Sequence, residues 1–135
     1  MQMFAIVSGY NGPDPVENVL NHDDLVKDHV RPSPYQFREI IGCWNGTVEQ
    51  AVQIYCPDSL KTFEFIEEMK KLGKLFDQEA ILVVHSDSSG NLFYIDGIGP
   101  EVEVCDGTWQ PLTLYKVKHE GCWSFIGGDF YGFDT

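Results

Sequence analysis

An α+β fold, with a mainly antiparallel sheet packed against two helices, is predicted by three features of the sequence. Helical periodicity is confined to two segments, one early and one central. Short strand-like runs separated by turn signals fill the rest and dominate the last third. An Asn-Gly dipeptide sits between two such runs, at 45–46, which marks a tight hairpin. The chain is 135 residues, 43% hydrophobic and 13% aromatic, with no internal repeat or long linker, so 1–135 reads as a single domain. A chain of this size buries roughly two-thirds of its unfolded surface and folds without metal or disulfide help.

The elements follow in order. "FAIVS" at 4–8 is a short apolar run suited to a buried strand. After "GYNGPDP", Asp14, Pro15 and Glu17 have the spacing of an N-cap, a proline at the first helical position and a capping-box acid. The helix that follows would place Val16, Val19, Leu20, Leu25, Val26 and Val30 on an imperfect apolar face, and "RPSP" ends it. "YQFREIIGCW" and "TVEQAVQIYC" are the hairpin arms. Residues 59–72 carry the clearest helical stripe, Leu60, Phe63, Ile66, Met69 and Leu72, with Asp58 or Ser59 as cap. "AILVV" at 80–84 is a central strand covered on both faces, and the turn "SDSSGN" leads to "LFYID". "EVEVC", "PLTLYKV" and "CWSFI" complete the expected strands.

Charge is the strongest global signal. Twenty-one Asp and Glu face nine Lys and Arg, for a net −12, and no Lys or Arg occurs from Leu75 to Tyr115. Such a surface repels phosphates, which argues against direct nucleic-acid or membrane binding. It attracts a basic protein surface, including the nucleic-acid-binding groove of another protein. The four cysteines are widely spaced with no C-x-x-C and there is no basic leader, so free thiols, no metal or other cofactor, and a cytoplasmic setting are expected.

Catalytic signatures are missing: no P-loop, no G-x-G-x-x-G, no G-x-S-x-G, no H-E-x-x-H. His85, beside Asp87 at the end of the central strand, could serve as a base, but no nucleophile accompanies it. Glu101 and Glu103 share one strand face without a supporting histidine, which suits a solvated edge better than a metal site.

"SGYNGPDPVENVL" at 8–20 and "FDQEAILVV" at 76–84 carry a resemblance. Asn11, Asn18, Phe76, Gln78 and Ala80 match the pattern of a bacterial and phage domain of unknown function, number 3293. The departure is Gly12, which separates Asn11 from Pro13. The resemblance spans roughly 4–97 and implies a fold and a candidate polar cluster; the family supplies no established activity.

Two functions of different class follow. The leading one is a small acidic, non-enzymatic binding protein, such as a phage-encoded inhibitor of a host nucleic-acid-handling or defence complex. It would act through Asp87, Asp96, Glu101, Glu103 and Asp106, with Trp109 or Tyr131 as aromatic anchor. The rival is a small-ligand (nucleotide-like) binder or modest enzyme with a pocket at Asn11, Asn18, Gln78 and His85. The same amides could instead satisfy orphan backbone groups.

Overall fold

A computed structural model describes residues 1–95, 97, 100–119 and 121–135. The first half alternates strand and helix: β1 (Phe4–Val7), α1 (Pro15–Asp24), β2 (Phe37–Trp44), β3 (Thr47–Tyr55), α2 (Thr62–Leu75) and β4 (Ala80–Val84). Then come β5 (Gly90–Tyr94), β6 (Val102–Val104), β7 (Thr108–Pro111), α3 (Leu114–His119), β8 (Trp123–Ile126) and β9 (Asp129–Asp134). Among the described residues the nine strands form one sheet in the order β6-β5-β4-β1-β3-β2-β8-β9-β7, antiparallel throughout. Its centre, β4-β1-β3-β2, is the split β-α-β arrangement of ferredoxin-like domains. The α+β class is therefore present, with the sheet taking a larger share of the chain than the sequence suggests.

Alternation along the strands makes two cores. Ala5, Val7, Val52, Ile54, Ile81 and Val83 point to one face, where Leu25, Val26, Val30, Phe65 and Met69 cover them. On the other face Ile40, Ala51 and Ile126 pack with Ile6, Trp109 and Tyr131. No helix is needed there because the sheet curls over itself. The backbone N–H of Trp109 donates to Ser88 O at 2.8 Å, and its ring meets Phe4 edge-on at 5.5 Å. The ring of Phe133 lies against Gly90, where a β-carbon would collide with it.

Local signals account for most element ends. The Asp14 carboxylate accepts from Val16 N at 2.9 Å and caps α1, with Pro15 at its start. Asn45 and Gly46 take positive φ, 48° and 83°, and join Trp44 to its partner Thr47.

Three expectations are corrected. In α1 the apolar face does not form: Val16, Val19 and Leu20 are exposed, and Asn18 and His22 are buried in their place. Leu25, Val26 and Val30 do reach the core, because the helix widens into a π-helical segment over Leu25–Val30 and changes phase. α2 starts at Thr62, later than expected, because Asp58 and Ser59 lie in a turn closed by Leu60 N donating to Pro57 O. Its buried positions are then Phe65, Met69 and Gly73, while Phe63 faces solvent. "PLTLYKV" is not a strand: β7 stops at Pro111, one further bond runs from Leu112 N to Phe130 O at 2.8 Å, and Leu114–His119 turn into α3.

Candidate functional site

The amides expected to form a pocket are brought together, and they act as clamps. Asn11 Nδ2 donates to Phe76 O at 3.2 Å, and its backbone N–H donates to Asn18 Oδ1 at 3.1 Å. Asn18 Nδ2 donates to Gly12 O at 2.7 Å. Gln78 Nε2 donates to Tyr10 O at 2.8 Å. Each amide serves main-chain groups of the loops that join β1 to α1 and α2 to β4, where no ladder can. His85 is not part of this cluster. It lies just past the far end of β4 from Gln78, with Nε2 2.7 Å from Asn91 Oδ1.

The expected partner-binding acids lie on the surface, while the rings of their anchors turn toward the helix-free core. Asp87, Glu101, Glu103 and Asp106 are exposed at the β6 edge and the neighbouring β4–β5 turn; Asp96 lies outside the described residues. The Asp87 carboxylate accepts from Ser89 Oγ at 2.6 Å and Ser89 N at 2.9 Å, which holds its pKa below the usual carboxylate value. Glu103 accepts from the Tyr94 hydroxyl at 2.6 Å. Trp109 and Tyr131 instead stack on each other inside the curl, with centroids 6.0 Å apart and planes 8° from parallel. Both are half-buried against the helix-free core.

A different residue carries the strongest chemical signal. β1 pairs with β3 only over 52–55, whereas β2 follows β3 along 47–54. Past the end of β1 the flank of β3 is bridged by the 8–10 loop. There the buried Ser8 hydroxyl donates to Gln50 O at 2.8 Å and the Tyr10 hydroxyl to Gln50 Oε1 at 3.1 Å. Glu49 is the next residue back along β3, and its half-buried side chain points to the other face from that of Gln50. It is opposite Gly42, which is opposite Ser124, which is opposite Tyr131, so the four share the helix-free face. Gly42 places no side chain between Glu49 and Ser124.

Glu49 has no hydrogen-bond or ion-pair partner among the described residues, and loss of water pushes its pKa up from 4.5 to about 7. Such a group is near evenly split between acid and carboxylate at neutral pH. It can exchange a proton, and its ionised form is an uncompensated negative charge that a cation would neutralise. Sequence reasoning passed over it. The available signal was an acid at a period-two position in line with Ala51 and Gln53 in a strand with a buried face.

At the other end of β3 an open cleft of about 860 Å³ is lined by Met3, Gln36, Tyr55, Cys56, Asp58 and Leu60, among others. Its size suits a nucleoside-sized ligand. Among the described residues no group of three or more His, Cys, Asp and Glu is placed to hold a metal ion, and no helix is long and apolar enough to cross a membrane. The described cysteines are all free.

A ferredoxin-like centre with a desolvated carboxylate on its helix-free face thus defines the class of structure. The family is given by comparison. The model of the S-adenosylmethionine lyase family matches residues 5–133, and the chain belongs to that family. This is not the domain of unknown function expected from residues 4–97. No curated protein matches the chain.

Proposed function

We propose that the protein is a lyase acting on S-adenosylmethionine, with Glu49 as the residue closest to the chemistry. The family match over residues 5–133 carries this reading. S-adenosylmethionine is a sulfonium cation whose carbon–sulfur bond can break without water. The bonding electrons stay on sulfur, a neutral thioether leaves, and the carbon fragment loses a proton or closes on an internal nucleophile. Positive charge disappears from sulfur as the bond breaks, so the surroundings must hold the cation without over-stabilising it. A single half-buried carboxylate with no cation of its own fits that need. Glu49 would face the sulfonium as carboxylate and accept the proton that an elimination releases. The overall charge of −12 favours approach of a cationic substrate.

The test is direct. Purified protein is incubated with S-adenosylmethionine labelled in its methyl group, and products are separated and weighed by mass spectrometry. A labelled thioether nucleoside is expected, formed at a rate that Glu49→Gln lowers. No turnover by the native chain would overturn the reading; turnover indifferent to Glu49→Gln but lost in Asp58→Asn would move the site to the cleft at the other end of β3.

A second reading is favoured by the gathering of Asp87, Glu101, Glu103 and Asp106 at one sheet edge. That edge would bind a basic protein surface, such as a nucleic-acid-binding groove, with an affinity that falls as salt rises. Reversing two or three of these acids should weaken a captured partner, while reversing Glu67 and Glu68 on α2 should not. Binding indifferent to both salt and the reversals would remove this reading.

A further inference from the structure

The cleft of about 860 Å³ lies where four strands have their ends: β1 and β2 begin beside it, and β3 and β4 finish. Glu49 and Tyr55 lie on the same face of β3 and, at about 3.3 Å per residue, roughly 20 Å apart. A small ligand seated against Tyr55 therefore does not reach Glu49. The two are separate places.

The cleft joins an apolar wall to a polar rim. Met3 and Leu60 belong to the helix-covered core, and Tyr55 adds a half-buried ring. That ring is held in place: its hydroxyl donates to Gln53 Oε1 at 3.0 Å, and Phe4 meets it edge-on at 6.0 Å. Gln36 continues the β2–β3 register opposite Tyr55, with its carbonyl accepting from Tyr55 N at 2.9 Å, so amide and ring stand side by side. The Gln36 amide, the Asp58 carboxylate and the Thr62 hydroxyl line the cleft without a hydrogen-bond partner among the described residues. Asp58 stands near the Cys56 thiol, whose pKa is raised by burial first and then by that charge. No Lys or Arg lines the cleft.

We propose that this cleft binds a purine nucleoside that carries no phosphate. The base would stack on Tyr55, as flat rings do on a fixed aromatic plate. Its edge would meet the Gln36 amide, which has the donor and the acceptor that adenine requires. The ribose diol would donate to the Asp58 carboxylate, with Thr62 at the same rim. Met3 and Leu60 would cover the apolar remainder. Charge excludes the phosphorylated forms: the site offers a carboxylate and no basic side chain, in a chain of net −12. The site stands on its own geometry and does not depend on the role of Glu49. On the lyase reading, the thioether nucleoside released at Glu49 is a ligand of this class, so product would bind away from where it forms.

Calorimetric titration of the full chain with adenosine tests this, with folding of each variant checked by circular dichroism. Adenosine should bind saturably. Gln36→Ala and Asp58→Ala, both at exposed positions, should each weaken it at least about tenfold. The native chain should bind 2′-deoxyadenosine and adenosine 5′-monophosphate at least about tenfold more weakly than adenosine. Glu49→Gln should keep the native affinity. Adenosine that shows no saturable binding by about 1 mM overturns the proposal. So does an affinity unchanged in either rim variant, or a monophosphate that binds as well as the nucleoside. Loss of adenosine binding in Glu49→Gln overturns it too, by placing the nucleoside at Glu49. Failure of the lyase reading shows separately, as no turnover of S-adenosylmethionine with adenosine binding intact.

Discussion

His22 reaches from α1 to β2, where its Nε2 lies 2.9 Å from Glu39 Oε1, while its Nδ1 is buried with no partner among the described residues. The bond ties the polar side of α1 to the sheet at a point where an apolar contact would be ordinary. Removing the carboxylate strands a second ring nitrogen in a buried position. Glu39→Ala should therefore cost about 1–2 kcal/mol in urea unfolding, although Glu39 itself is largely exposed. A cost within error would mean that water replaces the bond.

If the proposed function holds, Glu49 should make stability and activity depend on pH in opposite senses. Its folded pKa, about 7, lies above its ordinary 4.5, so the native state keeps the proton longer than the unfolded chain. The native state is therefore disfavoured progressively as pH rises from 4.5 to 7, and the full loss is present above that window. Glu49→Gln should match the native protein below pH 4.5 and exceed it by about 1–2 kcal/mol above pH 7, allowing for solvent screening. If Glu49 accepts a proton in turnover, kcat/KM should instead rise through about pH 7 and fall about 10²–10⁴-fold in the variant. Melts and rates across pH read both.

The amide clamp predicts loss of stability without a specific loss of catalysis. Asn18→Ala removes an acceptor for Asn11 N and a donor to Gly12 O in a buried place. The cost should be about 2–3 kcal/mol in thermal or urea unfolding. Substrate affinity falling more than expected from the unfolded fraction would return these residues to the ligand pocket.

Thiol reactivity should follow burial. Lost hydration raises the pKa of Cys43 and Cys56, and raises that of Cys105 to about 11, whereas Cys122 is exposed. Alkylation of the native protein near pH 8 should mark Cys122 first, as read by peptide mass spectrometry. Early labelling of Cys105 would mean that the curl around Gly90 opens readily.

Gly90→Ala should be among the most damaging small substitutions, because the added carbon meets the Phe133 ring. A loss of about 1–3 kcal/mol is expected. Phe133→Leu in the same chain should recover part of it; no recovery would place the damage in the β4–β5 hairpin itself.

What could be read in the sequence was local chemistry. Asp14-Pro15, Asn45-Gly46 and the continuous run Ala80–Val84 specify their cap, turn and strand with short-range physics, and the structure has all three. What could not be read depends on residues far apart. The fate of Val16 and Leu20 turns on the π-helical change of phase downstream, and the role of Trp109 on a sheet that brings it to Phe4. Glu49 was hidden for the same reason. A glutamate in a strand reads as solvated until its neighbours Gly42 and Ser124 are known. Asn11, Asn18 and Gln78 show the intermediate case, where the grouping was legible and the use of each amide was not.

The pairing of β2 with β8 has a consequence for how the protein is made. Gly42 and Ser124 are neighbours in the sheet, so the outer edge of β2 waits for some eighty more residues to leave the ribosome. Until then the β1–β4 unit can form while its exposed edge carries unpaired amides and the apolar side chains of Ile40 and Ile41. An unpaired apolar edge of this kind is open to pairing with other strands, and slow translation between residues 56 and 122 would lengthen its exposure. Release of the β8–β9–β7 segment closes that edge and the helix-free core together, which makes completion of this small domain a late and abrupt event.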